Sequence, residues 1–171
     1  MKDKYYKRIG KAIEKCNSIN CYLKHDDTYF NIIPLCRNDT FVLAANDNDF
    51  LINGFMIIPI KNIRQVDSKG KKYNEIIHKE SITDEIKVPE IDMDSYASIF
   101  TYFFNEHTAI SMDTVDGFYI GNVEDIGKKY IRFSYFDARG KRYKPVKITY
   151  DDILVIYLKD RYTEVFSKYV K

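Results

Sequence analysis

The chain has 171 residues, with 27 Lys+Arg against 25 Asp+Glu and a formal net charge of +2. Apolar residues make up 45% and charged residues 30%, a balance that excludes global disorder. The strongest apolar run, Phe55–Ile60, stops at six residues, far short of the ~18–20 that a bilayer-crossing helix needs.

The first ten residues carry positive charge with no apolar stretch behind them, so no secretory signal is expected and the chain reads as cytoplasmic. Tyr5, Ile9, Ala12, Ile13 and Cys16 then recur at i, i+4, i+7, i+8 and i+11, with Lys and Glu on the other side; this spacing predicts an amphipathic helix. Apolar segments follow at Asp27–Ile32 and Thr40–Ala45, with a polar turn at Asn46–Asp49. Fifteen tyrosines and eleven phenylalanines, together with abundant Ile and Val, suit pleated, half-buried surfaces, so these segments read as strands. A polar turn at Asp67–Lys72 precedes Tyr73–Ile77. His78–Glu90 is polar and carries Pro89, which sets a linker over 79–91 between a first domain (1–78) and a second (92–171).

In the second domain Asp94 is placed to cap a helix whose apolar stripe is Tyr96, Ile99, Phe100 and Phe103, ending near His107. Phe118–Val123 reads as a strand and Glu124–Gly127 as a turn. Tyr130–Phe136 alternates, with Tyr130, Arg132, Ser134 and Phe136 on one face and Ile131, Phe133 and Tyr135 on the other. Asp137–Gly140 is a hairpin turn whose glycine is free to take positive φ. Pro145–Ile148 and Ile153–Leu158 follow as strands around a corner at Thr149–Asp152. Tyr162, Val165, Phe166 and Tyr169 mark a last helix.

Landmarks recur about 90 residues apart. Ile60–Val66 followed by Tyr73, Glu75 and Ile76 faces Tyr150–Ile156 followed by Tyr162, Glu164 and Val165. This order predicts a mainly β protein with helices (α+β), built as a tandem repeat in which each copy is an N-terminal helix followed by five antiparallel strands. Val146–Ile156 resembles the second motif of the Sm-like small β-barrel, and is also similar to uncharacterised bacterial proteins. The resemblance implies two tandem Sm-like or SH3-like small barrels over roughly 3–77 and 92–170. The glycine and the Asp-x-x-Met-Asn signature of that family's RNA-binding first motif have no counterpart here, where Val123–Tyr130 stands instead.

No catalytic set emerges. There is no G-x-S-x-G, and Cys16, Cys21 and Cys36 lie in or beside apolar patterns, as structural thiols do. Their odd number fits no disulfide framework. No C-x-x-C occurs and His25, His78 and His107 are far apart, so no metal or cofactor is expected. His25-Asp26-Asp27 has the chemistry of a metal ligand or an acid–base pair, but reads rather as a turn between the first two strands, which explains the same residues without chemistry. Asp151 and Asp152 fall at a corner, where short polar side chains cap backbone groups. Asn46–Asp49 fails as a calcium loop because Leu51 and Ile52 take the fifth and sixth places. Gly70-Lys71-Lys72 lacks the rest of a phosphate-binding loop.

Between Lys128 and Lys147 stand eight basic residues against one acid, Asp137, with Tyr130, Tyr135, Phe136 and Tyr143 interleaved. Charge neutralisation joined to aromatic stacking is how single strands are bound without sequence readout. Lys128, Lys129, Arg132, Arg139, Lys141, Arg142, Lys144 and Tyr143 are therefore the candidate anion- or nucleic-acid-binding residues. Lysines on a strand edge also serve to block aggregation. Two functions remain. One is a non-catalytic binding module, acting by protein–protein interaction, by self-association through strand-edge pairing, or as an inhibitor of the immunity or anti-defence type. The other is RNA or nucleotide binding through the basic surface.

Overall fold

A computed structural model of the protein describes residues 2–24, 29–84 and 86–170, without the side chains of 2–4. The chain divides into two units, Met1–Pro89 and Glu90–Lys171. Among the described residues no helix is long and apolar enough to cross a membrane.

The first unit opens with α1 (Lys2–Glu14). Its stripe buries Ile9 and Ala12 and half-buries Tyr5 and Ile13. Cys16 lies beyond the helix end in a left-handed conformation (φ 48°), so it turns out to solvent instead of completing the stripe. Five strands follow: β1 (Ile19–Leu23), β2 (Tyr29–Arg37), β3 (Phe41–Asn48), β4 (Leu51–Pro59) and β5 (Ile63–Ser68). The short helix α2 (Lys71–Lys79) closes the unit's regular structure. Phe41–Ala45 and Phe55–Pro59 are buried at every position, the pattern of strands covered on both faces. Burial of Phe41 alone, at 0% exposure, is worth about 2–3 kcal/mol. Pro34 sits within β2 at a shift of register against β3, a place where a missing N–H leaves no ladder bond empty.

A polar network ties α2 to the β3–β4 turn. Asp47 is 2% exposed, and its carboxylate accepts from Ser18 Oγ (2.5 Å), Tyr73 OH (3.0 Å) and the Phe50 amide (3.0 Å). Asn74 accepts from the Ser18 amide at 2.7 Å and donates to the Ser18 and Gly70 carbonyls. The Tyr73 ring stacks on Phe50 at 4.2 Å. Burial, with Asp47 beside it, pushes the Tyr73 phenol up, so it stays a neutral donor.

The second unit begins with α3 (Tyr96–Asn105). Its N-cap is Ser95 rather than Asp94, with Ser95 Oγ accepting from the Ser98 amide at 3.0 Å. Ile99, Phe100 and Phe103 are buried, and the helix packs on β7. Then come β6 (Ile110–Thr114), β7 (Gly117–Ile126), β8 (Tyr130–Tyr135), β9 (Val146–Thr149), β10 (Ile153–Leu158) and α4 (Arg161–Phe166). α4 runs on into a single 3-10 turn over Ser167–Tyr169. β6 lies outside the segments that the sequence pattern marks as strands. Gly121 of β7 faces Tyr135 of β8 so closely that a Cβ there would fall 1.8 Å from the Ser134 carbonyl oxygen.

In each unit the last strand pairs antiparallel with the first: β5 with β1 and β10 with β6. The strand order is β5-β1-β2-β3-β4 in the first unit and β10-β6-β7-β8-β9 in the second, each an open antiparallel sheet. This overturns the expected tandem repeat of Sm-like or SH3-like small barrels, and with it the resemblance to that family. A barrel closes only when the end strands of its sheet pair with each other. Here, among the described residues, β4 does not pair with β5 in the first unit, nor β9 with β10 in the second.

Candidate functional site

The basic residues singled out by sequence are carried by β8, β9 and the turns at either end of β8. All eight side chains from Lys128 to Lys147 are exposed, and among the described residues none of them forms an ion pair. They do not form one cluster. Lys128 and Lys129 occupy the β7–β8 turn, held by the Gly127 amide on the Tyr130 carbonyl and the Tyr150 amide on the Lys129 carbonyl. Arg132 and Lys147 face each other across the β8–β9 ladder. Arg139, Lys141, Arg142 and Lys144 belong to the hairpin connection beyond β8. From Lys129 to Asp137 the chain runs about 26 Å at strand rise, so the cations lie along a strip rather than around a point.

Asp137 shapes the hairpin end. Its carboxylate accepts from the Arg139 amide (2.9 Å), the Lys141 amide (3.1 Å) and Tyr143 OH (2.9 Å). Its carbonyl accepts from Gly140, which takes φ 74° as the turn requires. The Lys141 amide above all, then the Arg139 amide and the Tyr143 hydroxyl, hold the Asp137 carboxyl below the usual carboxylate range. The same bond pushes the Tyr143 phenol up. The one acid of the segment is thus committed to the turn instead of to a neighbouring cation.

The interleaved tyrosines are less open than the sequence implies. Tyr143 is stacked on Tyr135 (5.0 Å, 9°), and Lys141 Nζ stands 5.1 Å from its ring centre. Tyr135 in turn meets Tyr119 edge-on at 5.3 Å. Tyr130 carries Lys147 Nζ at 4.3 Å and lies against Gly127, where a Cβ would meet its ring at 2.5 Å. Such cation–ring contacts contribute roughly 0.5–1 kcal/mol at an exposed site. Phe136 leaves the face it shares with Arg132 in the alternation and is buried, stacked on Phe166 of α4 (5.6 Å, 15°). Tyr162 stacks on the same Phe166 (5.5 Å, 13°) and is 51% exposed. The apolar stripe of α4 was visible in sequence, but nothing in it signals that its rings continue from the basic hairpin.

Elsewhere the molecule gathers little chemistry. His25, Asp26 and Asp27 lie outside the described residues. Among the described residues no three His, Cys, Asp or Glu side chains are grouped as for a metal ion. Asp152 Oδ2 accepts from Thr149 Oγ1 at 2.7 Å, a corner contact. Burial pushes the Cys21 thiol up to about 12 and raises that of Cys36. A cleft of about 260 Å³ beside α1 is lined by Arg8, Lys11, Lys15 and Asp67, with Arg8 committed to Asp67 at 2.8 Å and to the Val66 carbonyl. A second cleft, of about 300 Å³, is walled by Tyr5, Ile9, Ile60 and Ile63. Comparison with protein-family models, curated proteins and solved structures finds no match for this chain.

Proposed function

We propose that the β8–β9 hairpin of the second unit is a binding surface for single-stranded nucleic acid, held chiefly through its phosphates. The observation that carries this reading is the state of the charges: eight exposed basic side chains, none in an ion pair among the described residues, around an aspartate already satisfied by two amides and a phenol. A strip of cations about 26 Å long suits an extended polyanion better than a compact one.

The competing reading, a protein partner or second copy added to a strand edge, has less support. β9 is four residues long and is preceded by Pro145, while Arg8 takes the Val66 carbonyl of β5. Short strands, prolines and charges at an edge blunt it against strand addition.

A filter-binding titration with single-stranded RNA at several salt concentrations tests the proposal. Affinity should fall steeply with salt, with a log–log slope of about −0.7 for each phosphate contact. Arg139→Ala combined with Arg142→Ala should weaken binding and flatten that slope by roughly 1.4. Binding indifferent to salt, or unchanged in the double variant, would leave the hairpin a solvated face.

A further inference from the structure

We infer that Phe136, Phe166 and Tyr162 form a stacking ladder on which one base of that single strand rests, against the open face of Tyr162. The inference rests on the nucleic-acid reading above and adds a base contact that the sequence did not point to. The three rings lie within 15° of parallel, at centre spacings of 5.6 and 5.5 Å. Phe136 is 5% exposed and Tyr162 51%, so the ladder is rooted in the core and ends in solvent. Among the described residues Phe166 is the only ring stacked on Tyr162, and no cation covers it. Tyr143 and Tyr130, by contrast, already carry Lys141 and Lys147.

Charge lies beside the ladder. Phe136 and Arg142 form an antiparallel bridge, which puts their side chains on the same face. A Cβ on Gly140 would sit 3.4 Å from the Tyr169 carbonyl oxygen, so the chain beyond α4 runs against the hairpin turn. A rigid aromatic platform bordered by Arg142, which forms no ion pair among the described residues, fits a base with its adjoining phosphate. An apolar peptide would leave Arg142 without a partner.

The test compares two polyanions at fixed salt: single-stranded oligoadenylate, and inorganic polyphosphate, which has charge and no bases. Tyr162→Ala should weaken oligoadenylate binding roughly 5- to 150-fold and leave polyphosphate binding and the salt slope unchanged. Tyr162→Phe should bind as the unaltered protein does, and Arg142→Ala should weaken both ligands. Thermal unfolding of each variant reports that the fold is kept. The inference is overturned if Tyr162→Ala leaves oligoadenylate binding intact, if it weakens both ligands equally, or if Tyr162→Phe loses as much. It is also overturned if Tyr162→Ala changes only the sedimentation mass, which would make the α4 face a contact between copies. Binding of both polyanions that depends on Arg139 and Arg142 but not on Tyr162 sinks the ladder and spares the hairpin. Failure of the unaltered protein to bind either one sinks both.

Discussion

Asp47 in the first unit and Asp137 in the second are each held by backbone amide and side-chain hydroxyl donors, a tyrosine among them, yet one is 2% exposed and the other stands in an exposed hairpin. Both carboxylates are satisfied by neutral donors. In the interior this fastens α2 to the β3–β4 turn without bringing a cation into the core, where desolvation would be costly. On the surface the same arrangement spends the carboxylate's hydrogen bonds on the turn, and Arg139, Lys141, Arg142 and Lys144 make no contact ion pair among the described residues. What an aspartate's hydrogen bonds leave over therefore matters as much as what they hold.

The largest effect expected is from Asp47→Ala, which strands the buried Ser18 hydroxyl and takes an acceptor from the Tyr73 hydroxyl and the Phe50 amide. Urea unfolding should show a loss of about 3 kcal/mol; a loss below about 0.5 kcal/mol would break the contrast with Asp137. Thiol chemistry sharpens it further, because all three cysteines lie in the first unit. At pH 8 exposed Cys16 should react readily with a thiolate-selective reagent, while Cys21, pushed up to about 12 by burial, should react only through unfolding. Asp47→Ala should then speed Cys21 labelling roughly a hundredfold, and Asp137→Ala should leave it alone.

A subtler measurement follows the Asp137 turn with pH. Its folded carboxyl is held low, chiefly by the Lys141 amide, so the contribution to the turn is complete above the ordinary carboxylate range. That contribution is lost only as pH falls through the lowered folded value. NMR shifts of the Arg139 and Lys141 amides should therefore titrate below about 3.9, the ordinary aspartate value. A midpoint at or above that value would mean the turn bonds do not hold the charged form. The smallest change expected is from Tyr143→Phe, which removes one of three donors and should move that midpoint upward while both amides stay bonded.

Much of the local structure was legible in the sequence. The α1 stripe as far as Ile13, the α3 stripe, the Asp137–Gly140 turn and the shared face of Ile131 and Phe133 follow from spacing and residue type alone. Strand partnership did not follow. Periodicity decides which face a strand buries, but says nothing of where its edge bonds go, and the expected barrels failed at that step. β6 was missed because Ser111, Asp113 and Thr114 dilute its apolar pattern over five residues. The Asp47 network joins Ser18, Asp47 and Asn74 across turns that no local motif spans. At the candidate site every basic residue was readable one by one. That Lys141 and Lys147 cover tyrosines, and that Phe136 turns toward Phe166, depends on contacts between distant segments.

Gly121 has a consequence for the hairpin as a whole. Its bare Cα lets the β7 backbone pass so near the Ser134 carbonyl that no side chain fits between. Were β8 to slide along β7 in either direction, Ile120 or Asn122 would be driven into that gap. The basic strip is consequently locked in phase with the rest of its unit, and the spacing of its charges is set by the place where a side chain is missing.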